Sequence, residues 1–533
     1  MTGTTAEGAF VLGLDGVPWE PLTRWVDAGL LPNVERLFTD GAAGPLESTV
    51  PANTPIAWPS IATGARPDTH GIYEFMRLDE EYGQQPYTSD DRRQPPLWDI
   101  VTPAAVGNVP MTYPASEIDG QMVTGMMTPE SASGQRFARP SALATAIERR
   151  LPEYQVGLDW KEYHGREEEF VSALRSLVES RRDLLDLMLE RDDPELVFFV
   201  FTGPDRLQHL VWDEAVLKEQ YQYFDGIVGD AIDYCEANDY ALFVVSDHGF
   251  GEIDYHVNVN RYLLERGFFA EEGDAGVRGL FSRAGVSKDR VTDALERIGV
   301  TEDLLVDVLP QSVLQAAATR VPGDHSLYDM DPTGTQAFLH GLGSVYVNDT
   351  ERFASGTVDP ADVPAVKTRL VEALRGLEDP TTGRPVLDVH DGVDLYSGDE
   401  FAPDVVIDGR ERYRVTPDLA EETFKEPTVK VADHRPDGVF LAKGPGIEPG
   451  SRPEDATVAD VAPTVLHLMG EAVPAGADGR VLSELFEAGS DPAERAVEQT
   501  TYDREGGDAG ERARDHEDFS EVEGRLRGLG YME

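Results

Sequence analysis

Three uninterrupted apolar runs in this chain each lead into an acid: AFVLGL before Asp15, LVFFVFTGP before Asp205 and YALFVVS before Asp247. Continuous apolar runs of strand length belong to strands buried on both faces, the condition of a parallel sheet covered by helices. Helical patterns over Glu167 to Arg191 and Val211 to Ala237 feed the second and third runs, giving a βαβ alternation. The expected fold is α/β, with a mostly parallel central sheet flanked by helices. Such sheets bind ligands at the carboxyl ends of their strands. Asp15, the pair Asp205 and His209, and the pair Asp247 and His248 should therefore meet in space although they are dispersed in sequence.

At 533 residues the chain exceeds one simple core. From Ala9 to Gly64 it reads as strand, helix, helix, with LPNVERLFTDG closed by Gly41. A polar segment from Tyr73 to Val123 is expected to cover the site. The strand signal fades between Tyr262 and Gln336, where pieces such as SKDRVTDALERIG look helical, and returns with GSVYVND, PDVVIDG and GVFLAKGPG. The expected organisation is a core over 1–261, an inserted helical cap over 262–336, a resumed core over 337–486, and an acidic tail over 487–533 ending in a docking helix, FSEVEGRLRGLGYM.

The formal net charge is −53, with seven lysines against thirty-nine arginines. Such a chain repels itself in dilute buffer, whereas in molar salt the Debye length falls to about 3 Å. This composition points to a salt-loving cell. With 40% hydrophobic residues the chain is not a disordered acidic polymer. It lacks the basic stripes that bind a nucleic-acid duplex. Cys235 is the only cysteine, so metal ligands must be oxygen and imidazole. The amino terminus does not read as a secretory signal and no run approaches membrane-spanning length, so the expected location is cytoplasmic, with no membrane partner. Nothing in the sequence sets the oligomeric state.

Thr54 precedes Pro55, the residue favoured at a helix start, and a helix should run to Gly64. Thr54 is then an N-cap; it is also a candidate nucleophile, because a phosphate is held well at a helix amino end. Asp205 and His209, four apart on a helical turn, share a face and can grip an ion or simply pair. The SDHG run at Asp247 and His248 is a stronger signal. His434 would add a further nitrogen ligand, although a loop histidine is often only solvated. His70 and Trp58 read as anchors of a buried loop.

The segments LGLDG, LPNVERLFTDGA, ATGARPDTHGI, GPDRLQH, SDHGFG, HRPDGVFLAKGPGI and DVAPTVLHLMG occur along most of the chain in order. In these the chain resembles the alkaline phosphatase superfamily, in particular its type I phosphodiesterase and nucleotide pyrophosphatase branch and the microbial phosphohydrolase or phosphomutase group within it; the acidic composition suggests a halophilic archaeal source. The resemblance implies two divalent ions, one held by Asp15, Thr54, Asp247 and His248 and the other by Asp205, His209 and His434. Zinc comes first, with manganese or iron as alternatives. It also implies a phosphorylated Thr54 intermediate and a small phosphorylated substrate, with a phosphodiester or nucleotide favoured. A phosphomutase, or a metal-bound protein without turnover, stands as the alternative. One departure is Phe75, where the nucleotide pyrophosphatases carry a phosphate-binding asparagine. Sulfatase chemistry is disfavoured, since neither Cys235 nor the Thr54 segment supplies a sulfatase nucleophile motif.

Overall fold

The computed structural model describes residues 6–502 apart from 130–131, 159–162, 164, 272–328, 398 and 428–429. Its centre is an eight-stranded sheet. The strand Gly8–Leu14 lies between Leu196–Phe201 and Tyr240–Val245, parallel to both. Leu196–Phe201 continues through parallel Ala104–Val109 to parallel Gly120–Thr124, and Ala138–Arg139 closes that edge antiparallel. On the other side Asp437–Lys443 runs antiparallel between Tyr240–Val245 and Ala42–Glu47.

The alternation of side chains divides the apolar runs between two layers. Phe10, Leu12, Phe199, Phe201, Leu242 and Val244 enter one core with the helices Trp19–Asp27, Pro32–Asp40, Glu167–Leu189 and Glu214–Asn238. Val11, Phe198, Val200, Phe243 and Val245 enter the other, with the helices Thr54–Thr63 and Val461–Met469. Both faces are covered, which is why the central strands carry no polar alternation.

Two expectations about the sheet are corrected. The segment from Tyr73 to Val123 contains two of its strands, Ala104–Val109 and Gly120–Thr124. Their small residues (AAVGNV) lack the β-branched and aromatic content that marks a strand. The central sheet also does not resume with GSVYVND and PDVVIDG. Ser344–Val347 and Val405–Gly409 belong, with Ala337–His340 and Leu387–Asp391, to a separate antiparallel sheet. That sheet has its own core, shared with the helices Val259–Glu265 and Val363–Arg375. Only GVFLAKGPG returns to the central sheet. Apolar content alone cannot tell which sheet a strand joins; the tight Gly341–Gly343 link between two of these strands is the hairpin signal.

Most of the expected helical cap, 272–328 with its SKDRVTDALERIG piece, lies outside the described residues, as does the expected docking helix in 503–533. Glu271 and Met330 form an antiparallel bridge, so the ends flanking 272–328 meet. Among the described residues no helix is long and apolar enough to cross a membrane.

Candidate metal centre

Register brings the acids together. Gly13 is level with Val245, so two residues on, Asp15 comes level with Asp247 just past the strand ends. Leu14 is level with Phe201, after which Gly203–Leu210 forms a helix that puts Asp205 and His209 on one face. After His248, Gly249–Glu252 pairs antiparallel with Ala432–Arg435 and sets His434 opposite Phe250. That ribbon stacks the His248 and His434 rings with centroids 3.8 Å apart.

Two glycines make these approaches feasible. Gly16 has φ +72°, and a Cβ there would lie 3.0 Å from Asp205 Cα. A Cβ on Gly249 would lie 2.3 Å from the carbonyl oxygen of Asp437. Gly16→Ala is therefore expected to lower stability by about 1–2 kcal/mol from the left-handed backbone alone, before any contact with Asp205 is counted. A thermal melt measures this, and an unchanged midpoint would refute it.

Asp205, His209 and His434 present their ligand atoms as a near-equilateral triangle. Asp205 Oδ1 is 3.2 Å from His209 Nε2 and 3.3 Å from His434 Nε2, and the two nitrogens are 3.3 Å apart. A tetrahedral ion with bonds of about 2.0–2.1 Å separates its ligands by about 3.3–3.4 Å, so the triangle fits one face of such a site. His434 Nδ1 donates to the carbonyl oxygen of Ala52 at 3.2 Å, leaving Nε2 as a lone pair. Burial lowers His434 to about 3, with His248 adding to the effect, and lowers His209 to about 4, with Lys430 adding. Burial works to raise Asp205, but contact with His209 and His434 holds it well below the usual range. At neutral pH this set is one carboxylate and two neutral imidazoles, the protonation a divalent ion requires.

Asp15, Asp247 and His248 form the second set, with Thr54 against it. His248 Nε2 is 3.1 Å from Thr54 Oγ1, 3.3 Å from Asp247 Oδ2 and 3.8 Å from Asp15 Oδ1. Its Nδ1 donates to the Gly249 carbonyl oxygen at 3.0 Å, so Nε2 again faces inward as a lone pair. Each carboxylate is anchored by one oxygen. Asp15 Oδ2 accepts from Trp58 Nε1 at 3.0 Å, and Asp247 Oδ1 accepts from the Gly16 amide at 3.2 Å. The remaining oxygens, Asp15 Oδ1 and Asp247 Oδ2, are buried and accept no hydrogen bond among the described residues. Burial pushes both acids up, Asp247 to about 8 with help from Asp205, and Asp15 well above the usual range with help from Asp247 and Asp205. A dication between them reverses that penalty. The donor set fits a divalent ion.

Thr54 opens the helix Thr54–Thr63 as its first residue rather than as its cap, which is Asn53. Its hydroxyl thus stays available to the second set. The helix ends at Gly64 in the left-handed region, as expected. All seven sequence candidates are drawn to one end of the sheet.

Sequence reasoning undervalued Trp58, whose indole N–H orients Asp15; its membership of a helix beginning at the candidate nucleophile was the available signal. Trp58→Phe keeps an aromatic ring, though a smaller one, and removes that donor. By analogy with other partners of metal ligands, metal affinity should fall about 10–100-fold, measured by competition with a coloured chelator; wild-type affinity would contradict this. His70 is an anchor: Nε2 faces Ser60 Oγ at 3.1 Å and Nδ1 accepts from the Ile72 amide. Phe75 is wholly buried in the apolar core and offers the site no donor.

These features define an α/β protein with two clusters of metal-ligand chemistry where its parallel strands end. A model of the type I phosphodiesterase / nucleotide pyrophosphatase family matches residues 9–437, and the chain belongs to that family. Among solved structures, murine ectonucleotide pyrophosphatase / phosphodiesterase 5, inactive and in complex with AMP, is 13% identical with a TM-score of 0.49. A second structure of the murine protein gives 0.48 and the human protein 0.47, each also 13% identical. Each alignment covers 87% of this chain and 96% of the other. No curated protein matches the chain. Membership of this family supports phosphoester hydrolysis.

Proposed function

We propose that the chain hydrolyses a small phosphoric diester, nucleotide-type substrates included, through a phosphorylated Thr54. The observation that carries this is the pair of buried carboxylate oxygens, Asp15 Oδ1 and Asp247 Oδ2, without hydrogen bonds among the described residues beside the Thr54 hydroxyl. Asp15, Asp247, His248 and Thr54 would hold one ion, and Asp205, His209 and His434 the other, zinc being the first choice. When bound, such ions lower the pKa of a hydroxyl and offset charge on phosphoryl oxygens.

Thr54 Oγ attacks phosphorus, the ester P–O bond opens, and the alcohol leaves with a proton. Water then attacks the Thr54 phosphoester, releasing the phosphomonoester and restoring the hydroxyl. Because Thr54 starts its helix, its N–H has no acceptor within that helix, and the positive end of the helix dipole faces the incoming anion. This N–H takes the oxyanion role that Phe75 cannot perform.

The test is p-nitrophenol release from bis-p-nitrophenyl phosphate with added zinc. Hydrolysis that stops with a chelator and returns with zinc is expected. Equal rates with and without chelator would refute the reading.

A further inference from the structure

His209 faces a carboxylate on each of its ring nitrogens. Asp205 Oδ1 lies 3.2 Å from Nε2, and Asp433 Oδ1 lies 3.9 Å from Nδ1. The compact group of ligand atoms is that of Asp205, His209 and His434, so Asp433 stands behind the triangle rather than in it. We infer that Asp433 is a positioning residue for the ion of this set: it keeps the ring proton of His209 on Nδ1 and Nε2 open toward the ion. The inference rests on the metal assignment in the reading above and adds a residue to it.

The tautomer has to be decided, because Asp205 attracts the same proton to Nε2. A neutral imidazole carries one ring proton, and the nitrogen that holds it cannot bind an ion. For His434 and His248 the choice is made by backbone carbonyls, which face their Nδ1 atoms at 3.2 and 3.0 Å. His209 Nδ1 faces a full negative charge instead. A carboxylate behind a histidine ligand orients the ring and raises its basicity. Both side chains are buried, so salt screens this interaction little.

The surroundings of Asp433 fit that role. The ribbon Ala432–Arg435 places it opposite Gly251, and the helix Gly203–Leu210 that carries His209 packs on this ribbon. A buried carboxylate keeps its charge only when paired. Arg414 Nε is 2.6 Å from Asp433 Oδ2, and Lys430 Nζ is 3.3 Å from Oδ1. The two cations are themselves 7% and 5% exposed, and Lys430 is one of seven lysines in the whole chain. Burying them beside residues suited to hold a dication is costly. What they provide in return is a charged Asp433 behind His209.

Zinc binding tests this without turnover, by competition with a coloured chelator in molar salt. Asp433→Asn should weaken the ion at Asp205, His209 and His434 about 10–100-fold, while the ion at Asp15, Asp247 and His248 remains. Asp433→Asn combined with Lys430→Met removes one charge of each sign; it keeps the net charge of the cluster and serves also if the single variant fails to fold. It should show the same loss. In zinc-loaded protein labelled with ¹⁵N-histidine, the Nδ1–H resonance of His209, assigned by its absence from His209→Gln, should shift in both variants. Wild-type affinity with an unmoved resonance would overturn the role of Asp433 even if wild type cleaves bis-p-nitrophenyl phosphate. A loss in Asp433→Asn that the double change restores would overturn it too, since bare cations would then be repelling the ion. Weakened zinc binding and a shifted resonance in both variants, without any diester cleavage by wild type, would instead refute the hydrolase reading and leave the role of Asp433 standing.

Discussion

Thr54→Ala is expected to reduce hydrolysis of bis-p-nitrophenyl phosphate by about 10³-fold or more, the scale seen when a nucleophile is removed from an otherwise intact site. The effect should be chemical rather than structural. The Thr54 side chain is wholly buried, and alanine at this position keeps the helix, since Asn53 rather than Thr54 occupies the cap. Asp15, Asp247 and His248 remain to hold the ion, so metal content should stay near two per chain. Thr54→Ser keeps the attacking oxygen and should recover a substantial part of the rate. A Thr54→Ala protein with near-normal turnover would exclude the proposed intermediate.

Asp205→Asn should have an effect of similar size by a different route. Asp205 Oδ1 is the corner of the triangle that both imidazole nitrogens face. The amide lacks the charge that binds the ion, and two neutral imidazoles are a poor dication site by themselves. Elemental analysis after dialysis should fall from about two ions per chain to about one, with activity lost in parallel. The other set shares none of these side chains, so its ion should remain. Two ions retained at normal activity would contradict the assignment of Asp205.

The central strands were legible because LVFFVF and YALFVV are apolar on both faces, and only a sheet covered by helices accommodates that pattern. Asp15, Asp205, His209, Asp247 and His248 were legible for a related reason, since they follow the ends of such strands, whereas His434 lies in the separate ribbon Ala432–Arg435 and was joined to them through the family resemblance. Thr54 was legible through Pro55, although its position slipped from the cap to the first turn, a one-residue difference inherent in helix boundaries. Ala104–Val109 was missed because small residues pack inside a sheet without announcing a strand. The separate antiparallel sheet was missed because, although the Gly341–Gly343 link marks one hairpin, the pairing of Ser344–Val347 with Val405–Gly409 joins segments far apart in sequence and leaves no local pattern. Arg414 is an extreme case: nothing in RYRVT connects it to His434, yet the two line one pocket.

The most direct test is an acid quench of the zinc-loaded enzyme during turnover of bis-p-nitrophenyl phosphate, followed by mass spectrometry of the peptide containing Thr54. The account predicts a p-nitrophenyl phosphoryl adduct on Thr54 that forms within the first turnover and is absent from Thr54→Ala. Steady hydrolysis with no adduct at any quench time, together with an active Thr54→Ala protein, would contradict it.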